Sequence, residues 1–231
     1  VLCTALGALL GMILSTPVLP RFLNAVTGRP FMDQQGTLWF HWFVKESLLR
    51  LSSPSHTDLF FFPFGKNVIA HTGNNFLDAL LTVPLQLIFG WPAYYNIFVI
   101  LIFALNAAAF FPLGLYLFGQ RGASIFSALL FAGNPYTMTE IEFGRPTQAF
   151  LPFVPLFFLF LLRTEEEEGM RNPFFAGLFL VLASLTYWFY GVFLSILAAS
   201  VFIHGFFLSR AWRFSPAFIR RFALLALVAL A

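Results

Sequence analysis

The stretch Arg29-Pro-Phe-Met-Asp-Gln-Gln-Gly-Thr-Leu-Trp-Phe-His-Trp-Phe-Val-Lys-Glu-Ser-Leu-Leu-Arg50 decides how the whole chain is interpreted. It follows an apolar segment that can cross a bilayer, and it opens a long loop whose charges forbid a crossing. Asp33 stands where the chain leaves the apolar segment, just before an aromatic and partly amphipathic helix. An acid at a membrane surface under aromatic cover is energetically costly, so such an acid usually marks function.

The composition predicts a membrane protein that crosses the bilayer several times. Of the 231 residues, 59% are hydrophobic and only 10% are charged, whereas a soluble domain carries about 25% charged residues. The 34 Phe and 5 Trp residues suit lipid-facing and interfacial positions. The single cysteine, Cys3, excludes a disulfide framework. The net charge of +3 is dispersed, so no basic stripe supports binding to nucleic acid.

The first apolar segment, 1–19, is about as long as a spanning helix requires. A cleaved signal peptide is the alternative, but the segment has no charged beginning and no small-residue cleavage site, which favours a retained helix. The chain starts with Val and ends inside the apolar run 222–231. We therefore expect a fragment of a longer protein with a single transmembrane domain, 1–231.

Residues 20–92 form a predicted first external loop with two helices that lie on the membrane surface. The helix at 38–51 should bury one stripe of apolar residues, namely Phe40, Val44, Leu48 and Leu51. Glu46 and Arg50 on this helix are spaced as an ion pair requires. The second helix, 75–89, is apolar but short for a span, and Asn74 or Asn75 is its predicted N-cap.

Further crossings follow this loop. Ala93 to Phe118 is predicted to span, and shorter apolar segments follow at 123–134, 148–162, 174–187, 192–208 and 222–231. A polar second external loop, 135–147, interrupts them, and Trp188 to Gly191 is read as the turn of a hairpin. The predicted fold is thus an all-α transmembrane bundle.

The distribution of basic residues predicts the orientation. The turn at Arg121, the loop 163–171 and the loop 210–221 together hold seven Lys or Arg residues, and the opposite short loops hold Arg145 alone. Loops rich in Lys and Arg stay in the cytoplasm. Both loops named external then face outward from a bacterial cytoplasmic membrane, provided that 75–89 does not span.

Several phrases of the sequence resemble the GT-C class of integral-membrane glycosyltransferases, which includes the protein mannosyltransferases and the aminoarabinose transferases. An acid follows the first helix closely, and paired crossings surround a short acidic second loop. The phrases that carry the resemblance are Pro84-Leu-x-x-x-x-Gly90, Leu115-Tyr-Leu-Phe-Gly-Gln-Arg121, Asn134-Pro-Tyr136, and Phe62-Pro-Phe-Gly-Lys-Asn67 with Ala93-Tyr-Tyr-Asn96. The last of these is similar to a set of bacterial membrane proteins assigned to the same class.

The resemblance implies transfer of a sugar from a polyprenyl-phosphate donor to an acceptor of unknown type on the outer face of the membrane. Asp33 would match the acid of the first loop, which acts as general base or orients the acceptor. Glu140 or Glu142 would match the acid of the second loop. No cofactor is expected.

The chemistry of sugar transfer fits these residue types. An inverting transfer needs a carboxylate to take the acceptor's proton, and cations to hold the departing phosphate. Arg145, after the flexible Gly144, is well placed for a phosphate. Arg29 and Lys66 are further candidates for phosphate binding, although they also suit headgroup anchoring.

Simpler roles remain open for the same acids. Asp33 can instead cap the helix that follows it. Glu140 and Glu142 share a face if their segment is extended and diverge if it is helical. They can also belong to an exposed polar loop.

A metal site is not predicted. The external loop holds three histidines and two acids, but none has metal-binding spacing: His41, His56, His71, Asp58 and Asp78. Two other functions compete with sugar transfer: a transporter or flippase for a lipid-linked glycan, and a non-catalytic subunit on the same scaffold. The scarcity of charge within the predicted helices speaks against a transporter.

Overall fold

The computed structural model describes residues 1–30, 32–68, 76–205 and 216–230. The predicted all-helical fold is confirmed, since 75% of the structure is helix and 2% is strand. The helices are α1 Leu2–Leu14, α2 Gln34–Leu49, α3 Phe76–Phe89, α4 Ala93–Phe118, α5 Arg121–Ala132, α6 Pro135–Glu142, α7 Pro146–Ala149, α8 Phe153–Glu166, α9 Arg171–Thr186, α10 Trp188–Ile203 and α11 Pro216–Leu230. Two short antiparallel strands, β1 His56–Thr57 and β2 Lys66–Asn67, pair between α2 and α3.

Two stretches of the described chain are long and apolar enough to cross a membrane. Helix α4 has 26 residues and a mean hydropathy of 2.3, and its length of about 39 Å exceeds the bilayer core of about 30 Å. The second stretch, Pro146–Glu166, has a mean hydropathy of 1.5 and includes α7 and α8. Four further apolar helices, α1, α3, α9 and α10, have 13 to 16 residues.

The prediction of a 19-residue first crossing is wrong, because α1 ends at Leu14. Pro17 and Pro20 explain the early end, since proline removes a backbone donor and disfavours helix in the preceding residue. A short 3₁₀ turn, Leu19–Arg21, follows instead.

Helix α4 is the centre of the packing. Tyr95, Val99 and Ile102 on this helix are fully buried, and α1 and α5 pack along it. Helix α1 approaches through Gly7, where an added Cβ would lie 2.7 Å from the carbonyl oxygen of Phe103. This close contact of small residues is typical of helices that associate within a membrane. Helices α8 to α11 bury a second cluster around Phe157.

One end of the bundle gathers the basic segments, and we call it the basic end. The hydroxyl of Tyr116, near the end of α4, donates a hydrogen bond to Glu166 at the end of α8. Arg221, early in α11, donates to the carbonyl oxygen of Glu167. The structure thereby brings together three segments that the charge distribution predicts on one side of the membrane. Arg210 and Arg213 lie outside the described residues.

At the opposite end, Asn96 on α4 holds the start of the first loop. Its side-chain nitrogen donates to the carbonyl oxygens of Phe22 and Ala25 at 2.8 and 2.7 Å. Its side-chain oxygen accepts from the backbone N–H of Thr27 at 2.9 Å. A buried asparagine with all these partners fixes the loop in one position, because leaving any of these groups unpaired is costly.

Asn106, also on α4, holds the chain that follows the second loop. It donates to the carbonyl oxygen of Ala149 and accepts from the N–H of Leu151, both at 2.9 Å. These two backbone groups lie in the break between α7 and α8. Buried backbone groups outside a helix need such partners, so Asn106 makes the break possible.

Three local predictions differ from the structure. In the predicted stripe of α2, Phe40 and Val44 are buried, but Leu48 and Leu51 are 37% and 96% exposed because the helix ends at Leu49. The predicted ion pair of Glu46 and Arg50 on the same helix is confirmed, at 3.6 Å.

Outside α2, residues 135–147 hold two short helices rather than a loop, because Pro135 and Pro146 each start a helix with a preset φ. Trp188 to Gly191 forms the first turn of α10 rather than a hairpin turn.

The second loop docks directly on the first. The backbone N–H groups of Arg29 and Asp33 donate to the carbonyl oxygens of Glu142 and Phe143 at 2.6 and 3.1 Å. The hydroxyl of Thr37 donates to the carbonyl oxygen of Gly144 at 2.9 Å. Gly144 has φ +76°, and an added Cβ would lie 2.5 Å from the backbone nitrogen of Gln34.

Gly144→Ala should therefore destabilise the protein. The positive φ costs an alanine about 1–2 kcal/mol and the overlap a further 1–3 kcal/mol, about 2–5 kcal/mol in all. Thermal unfolding of the detergent-purified protein measures the loss. Gly122→Ala is the matched control, since Gly122 lies in α5 with nothing within 4 Å of an added Cβ. Equal melting temperatures for the two variants would contradict the close docking.

Candidate functional site

The docked loops bring together Asp33 and Arg145, which are 112 residues apart in sequence. Asp33 occupies the N-cap position of α2, but its side chain makes no capping hydrogen bond. Its carboxylate instead accepts a hydrogen bond from Nε of Arg145, and its side chain stays 60% exposed. The side chain of Asp33 therefore does not cap α2, although the residue occupies the N-cap position.

The two acids of the second loop point in different directions because their segment is helical. Residues i and i+2 on a helix lie on different faces. Glu140 is buried, at 8% exposure, and its Oε2 lies 3.7 Å from Nη1 of Arg145. Glu142 is half-exposed and pairs with Arg29 at 2.5 Å. The structure thus places one predicted acid beside Arg145 and the other away from it.

Burial changes the proton affinity of Glu140. Loss of solvent raises the pKa of its carboxyl above the usual 4.5, and the nearby Arg145 offsets part of this rise. The pKa of the Arg145 guanidinium is raised as well, chiefly by its hydrogen bond to Asp33. Arg145 therefore remains a fixed cation between two carboxylates.

A cavity of about 600 Å³ opens beside this pair, and we call it the Asp33 cavity. Its lining residues come from both loops, from α2 and α7, and from the strand β2: Met32, Asp33, Gln35, Gly36, Thr37, Trp39, Phe40, Phe60, Lys66, Val68, Arg145, Thr147 and Gln148. Lys66 adds a second cation, with Nζ 5.3 Å from the centre of the Phe60 ring. Trp39 and Phe60 meet edge to face at 4.7 Å and form an aromatic wall.

A second cavity, the Arg29 cleft, lies at the end of α1 and has a volume of about 450 Å³. Arg29 and Glu142 stand among mostly apolar side chains there, including Leu14 and Phe103. Five of the six predicted site residues therefore divide between the two cavities. Asp33, Arg145 and Lys66 line one cavity, Arg29 and Glu142 line the other, and Glu140 lines neither.

A buried polar cluster next to the Asp33 cavity was not predicted as a unit. Asp78 and His41 are 0% and 1% exposed, and Nε2 of His41 lies 3.5 Å from Oδ2 of Asp78. The hydroxyl of Thr147 donates to the same Oδ2 at 2.5 Å. An acid within an apolar helix is the signal that could have found this cluster, because such acids are rarely accidental.

The histidines and acids of the first loop do not assemble into a metal site within the described ranges, where no three potential ligands come together. His56 and Asp58 form a separate, exposed pair at 3.1 Å. His71 lies outside the described residues.

The Asp33 cavity combines an exposed carboxylate, two cations and an aromatic wall. Such a lining suits a ligand that carries both an anionic group and hydroxyls, since pockets bind through apolar walls and a few placed polar groups. Arginine has five donors and Asp33 uses one of them, so the planar guanidinium still has N–H groups for an oxyanion.

Comparisons of the chain with protein-family models, with curated proteins and with solved structures give no match. The functional argument for this chain therefore depends on its own residues and their geometry.

Glu140 should give the stability of the protein a recognisable pH dependence. Because its pKa is raised in the folded state, the stability linked to it is fully present below pH 4.5 and is lost as the pH rises through the folded pKa. Melting temperatures measured from pH 4 upward should fall less steeply for Glu140→Gln than for the unmodified protein. Glu142→Gln is the control and should keep the original slope. Parallel curves for Glu140→Gln and the unmodified protein would rule out the effect.

Proposed function

We propose that this chain is a GT-C-type glycosyltransferase that moves a sugar from a polyprenyl-phosphate donor to an acceptor on the outer face of a bacterial cytoplasmic membrane. The observation that carries the proposal is the meeting of Asp33 and Arg145 at one cavity. They are the acid and the cation that sugar transfer from a phosphate requires, and they come from two separate loops.

Asp33 is suited to act as the general base. Its side chain is 60% exposed and lines the cavity, and within the described residues its carboxylate accepts one hydrogen bond, from Arg145. In an inverting transfer, this carboxylate takes the proton of the acceptor hydroxyl as the hydroxyl oxygen attacks the anomeric carbon. The bond from that carbon to the phosphate oxygen breaks, and the polyprenyl phosphate leaves with its electron pair.

Arg145 and Lys66 are suited to hold the departing phosphate. Both line the Asp33 cavity, and Arg145 retains free donors beyond those that face Asp33 and Glu140. Placed cations of this kind stabilise negative charge as it develops on the leaving group. Trp39 and Phe60 offer the apolar wall against which a sugar ring can pack.

Placement in a membrane is supported by the outer surfaces of the helices. Large apolar side chains are exposed on α5, at Phe126 and Leu130, and on α10, at Phe193 and Ile196. A soluble protein rarely exposes contiguous apolar patches of this kind. In the proposed multi-pass arrangement lipid covers them, the basic end is cytoplasmic, and the Asp33 cavity opens on the outer face.

The transporter alternative has less support. A path for a polar substrate needs uncommitted polar groups within the spanning helices. Helix α4 carries Asn96 and Asn106, but both side chains are engaged by the backbone of neighbouring loops. The polar groups of the cavity lie instead at one end of the bundle, where a donor headgroup meets the protein.

Asp33→Asn should remove the transfer activity. The amide keeps the shape of the side chain but cannot take a proton, so sugar transfer should fall by about 10²–10⁴-fold. Purified protein in liposomes, supplied with polyprenyl-phosphate donors carrying radiolabelled sugars and with a membrane lipid extract as acceptor, measures this. Asp58→Asn is the matched control, an exposed acid of the same loop outside the cavity. Near-normal transfer by Asp33→Asn, with equal protein levels, would exclude Asp33 as the base.

The proposed orientation predicts which residues face the cell exterior. In a Cys3→Ala background, a cysteine at position 33 should react with a membrane-impermeant maleimide in intact spheroplasts. A cysteine at position 121 should react only in inverted vesicles. Labelling of position 33 only from the cytoplasmic side would refute both the orientation and the outward-facing site.

A further inference from the structure

The cluster of His41, Asp78 and Thr147 forms the wall behind the Asp33 cavity. The three residues come from α2, α3 and α7, and each is at least nine-tenths buried. The carboxylate of Asp78 is their common centre, because it faces His41 at 3.5 Å and accepts the Thr147 hydroxyl at 2.5 Å.

This cluster is costly as a purely structural device. Within the described residues, both ring nitrogens of His41 and Oδ1 of Asp78 have no hydrogen-bond partner. A buried acid with one histidine contact and one hydrogen bond is usually no more stable than apolar residues in its place. The surroundings are already apolar, with Phe40, Val44 and Ala79 packed between α2 and α3. Buried polar groups that lack partners call for a functional explanation.

Thr147 connects the cluster to the cavity. It lines the Asp33 cavity together with Asp33 and Arg145, and it follows Arg145 by two residues. A threonine hydroxyl has one proton to donate, and here that proton is directed to Asp78. To a ligand, the hydroxyl oxygen can therefore offer only lone pairs. The adjacent carboxylate strengthens it as an acceptor, since hydrogen bonds in a chain polarise one another.

We propose that Thr147, held by Asp78 and His41, is a subsite that recognises one hydroxyl of the sugar bound in the Asp33 cavity. This inference rests on the proposed function and assigns different parts of the donor to different residues. Arg145 and Lys66 bind the phosphate, and Thr147 accepts a hydrogen bond from a sugar hydroxyl. Thr147 is the binding residue, whereas Asp78 and His41 act through it as positioning residues.

Binding of short-chain donors tests the subsite. The probes are farnesyl-phosphoryl mannose, glucose, galactose and arabinose, followed by the monodeoxy analogues of the tightest binder, titrated calorimetrically against the protein in nanodiscs. One deoxy analogue should bind about tenfold more weakly than its parent, as loss of one hydrogen bond predicts. In Thr147→Val the parent donor should bind about tenfold more weakly as well. The difference in affinity between parent and deoxy analogue, which we call the deoxy penalty, should then vanish. Thr147→Ser should restore both.

A double-mutant cycle tests the positioning role. Asp78→Asn should weaken binding of the parent probe and reduce the deoxy penalty when Thr147 is present. In the Thr147→Val background Asp78→Asn should change the affinity little, because the group through which it acts is gone. An equal loss of affinity in both backgrounds would show that Asp78 only supports the fold. His56 and Asp58 provide the control pair, since Asp58→Asn alters an exposed carboxylate outside the cavity and should leave the affinities unchanged.

The outcomes separate this inference from the proposed function. If Asp33→Asn abolishes transfer while Thr147→Val keeps the deoxy penalty, the subsite is refuted and the transferase stands. If the penalty depends on Thr147 but no donor is ever turned over, the sugar subsite stands and the transferase is refuted. Failure of every probe to bind the unmodified protein at millimolar concentration would overturn both.

Discussion

The docking of the second loop on the first is the constraint from which the rest of the site follows. Backbone hydrogen bonds join Arg29 to Glu142 and Asp33 to Phe143, and Gly144 permits the close approach. This contact brings together the segments that carry Asp33 and Arg145, although the two residues are 112 positions apart in the sequence. Thr147, two residues after Arg145, donates to Asp78 of α3, so the buried cluster adjoins the Asp33 cavity.

The charged groups around Arg145 differ in their exposure to solvent. Two carboxylates face this one guanidinium, but Glu140 is buried and its pKa is raised. Loss of solvent is the cause of this raised pKa, and the nearby Arg145 offsets part of it. Lys66 adds a second cation to the lining of the cavity. The arrangement leaves Asp33 as the exposed carboxylate of the cavity.

Much of the helical framework could be predicted from sequence. The segment 93–118 coincides with α4, because a mostly apolar run without charged residues and the left-handed Gly119 define a helix and its end locally. Predictions were wrong where proline changed the local outcome, as at the end of α1 and within 135–147. The predicted buried stripe of α2 is confirmed for Phe40 and Val44 but is wrong for Leu48 and Leu51, because the helix ends at Leu49. The buried face of α2 also includes His41, which binary patterning assigns to the surface.

The sequence by itself determined an apolar helical chain with its acids and cations concentrated in two segments, because composition and periodicity are local properties. It also identified Asp33 and Arg145 as candidates, since charged residues are rare here. Only the tertiary structure decided that Arg145 meets Asp33 and Glu140, that Glu142 turns away to Arg29, and that Asp78 is buried against His41. Apart from the contact of Arg145 with Glu140, these pairings join residues far apart in sequence, and they depend on how separate segments pack, which no local pattern encodes.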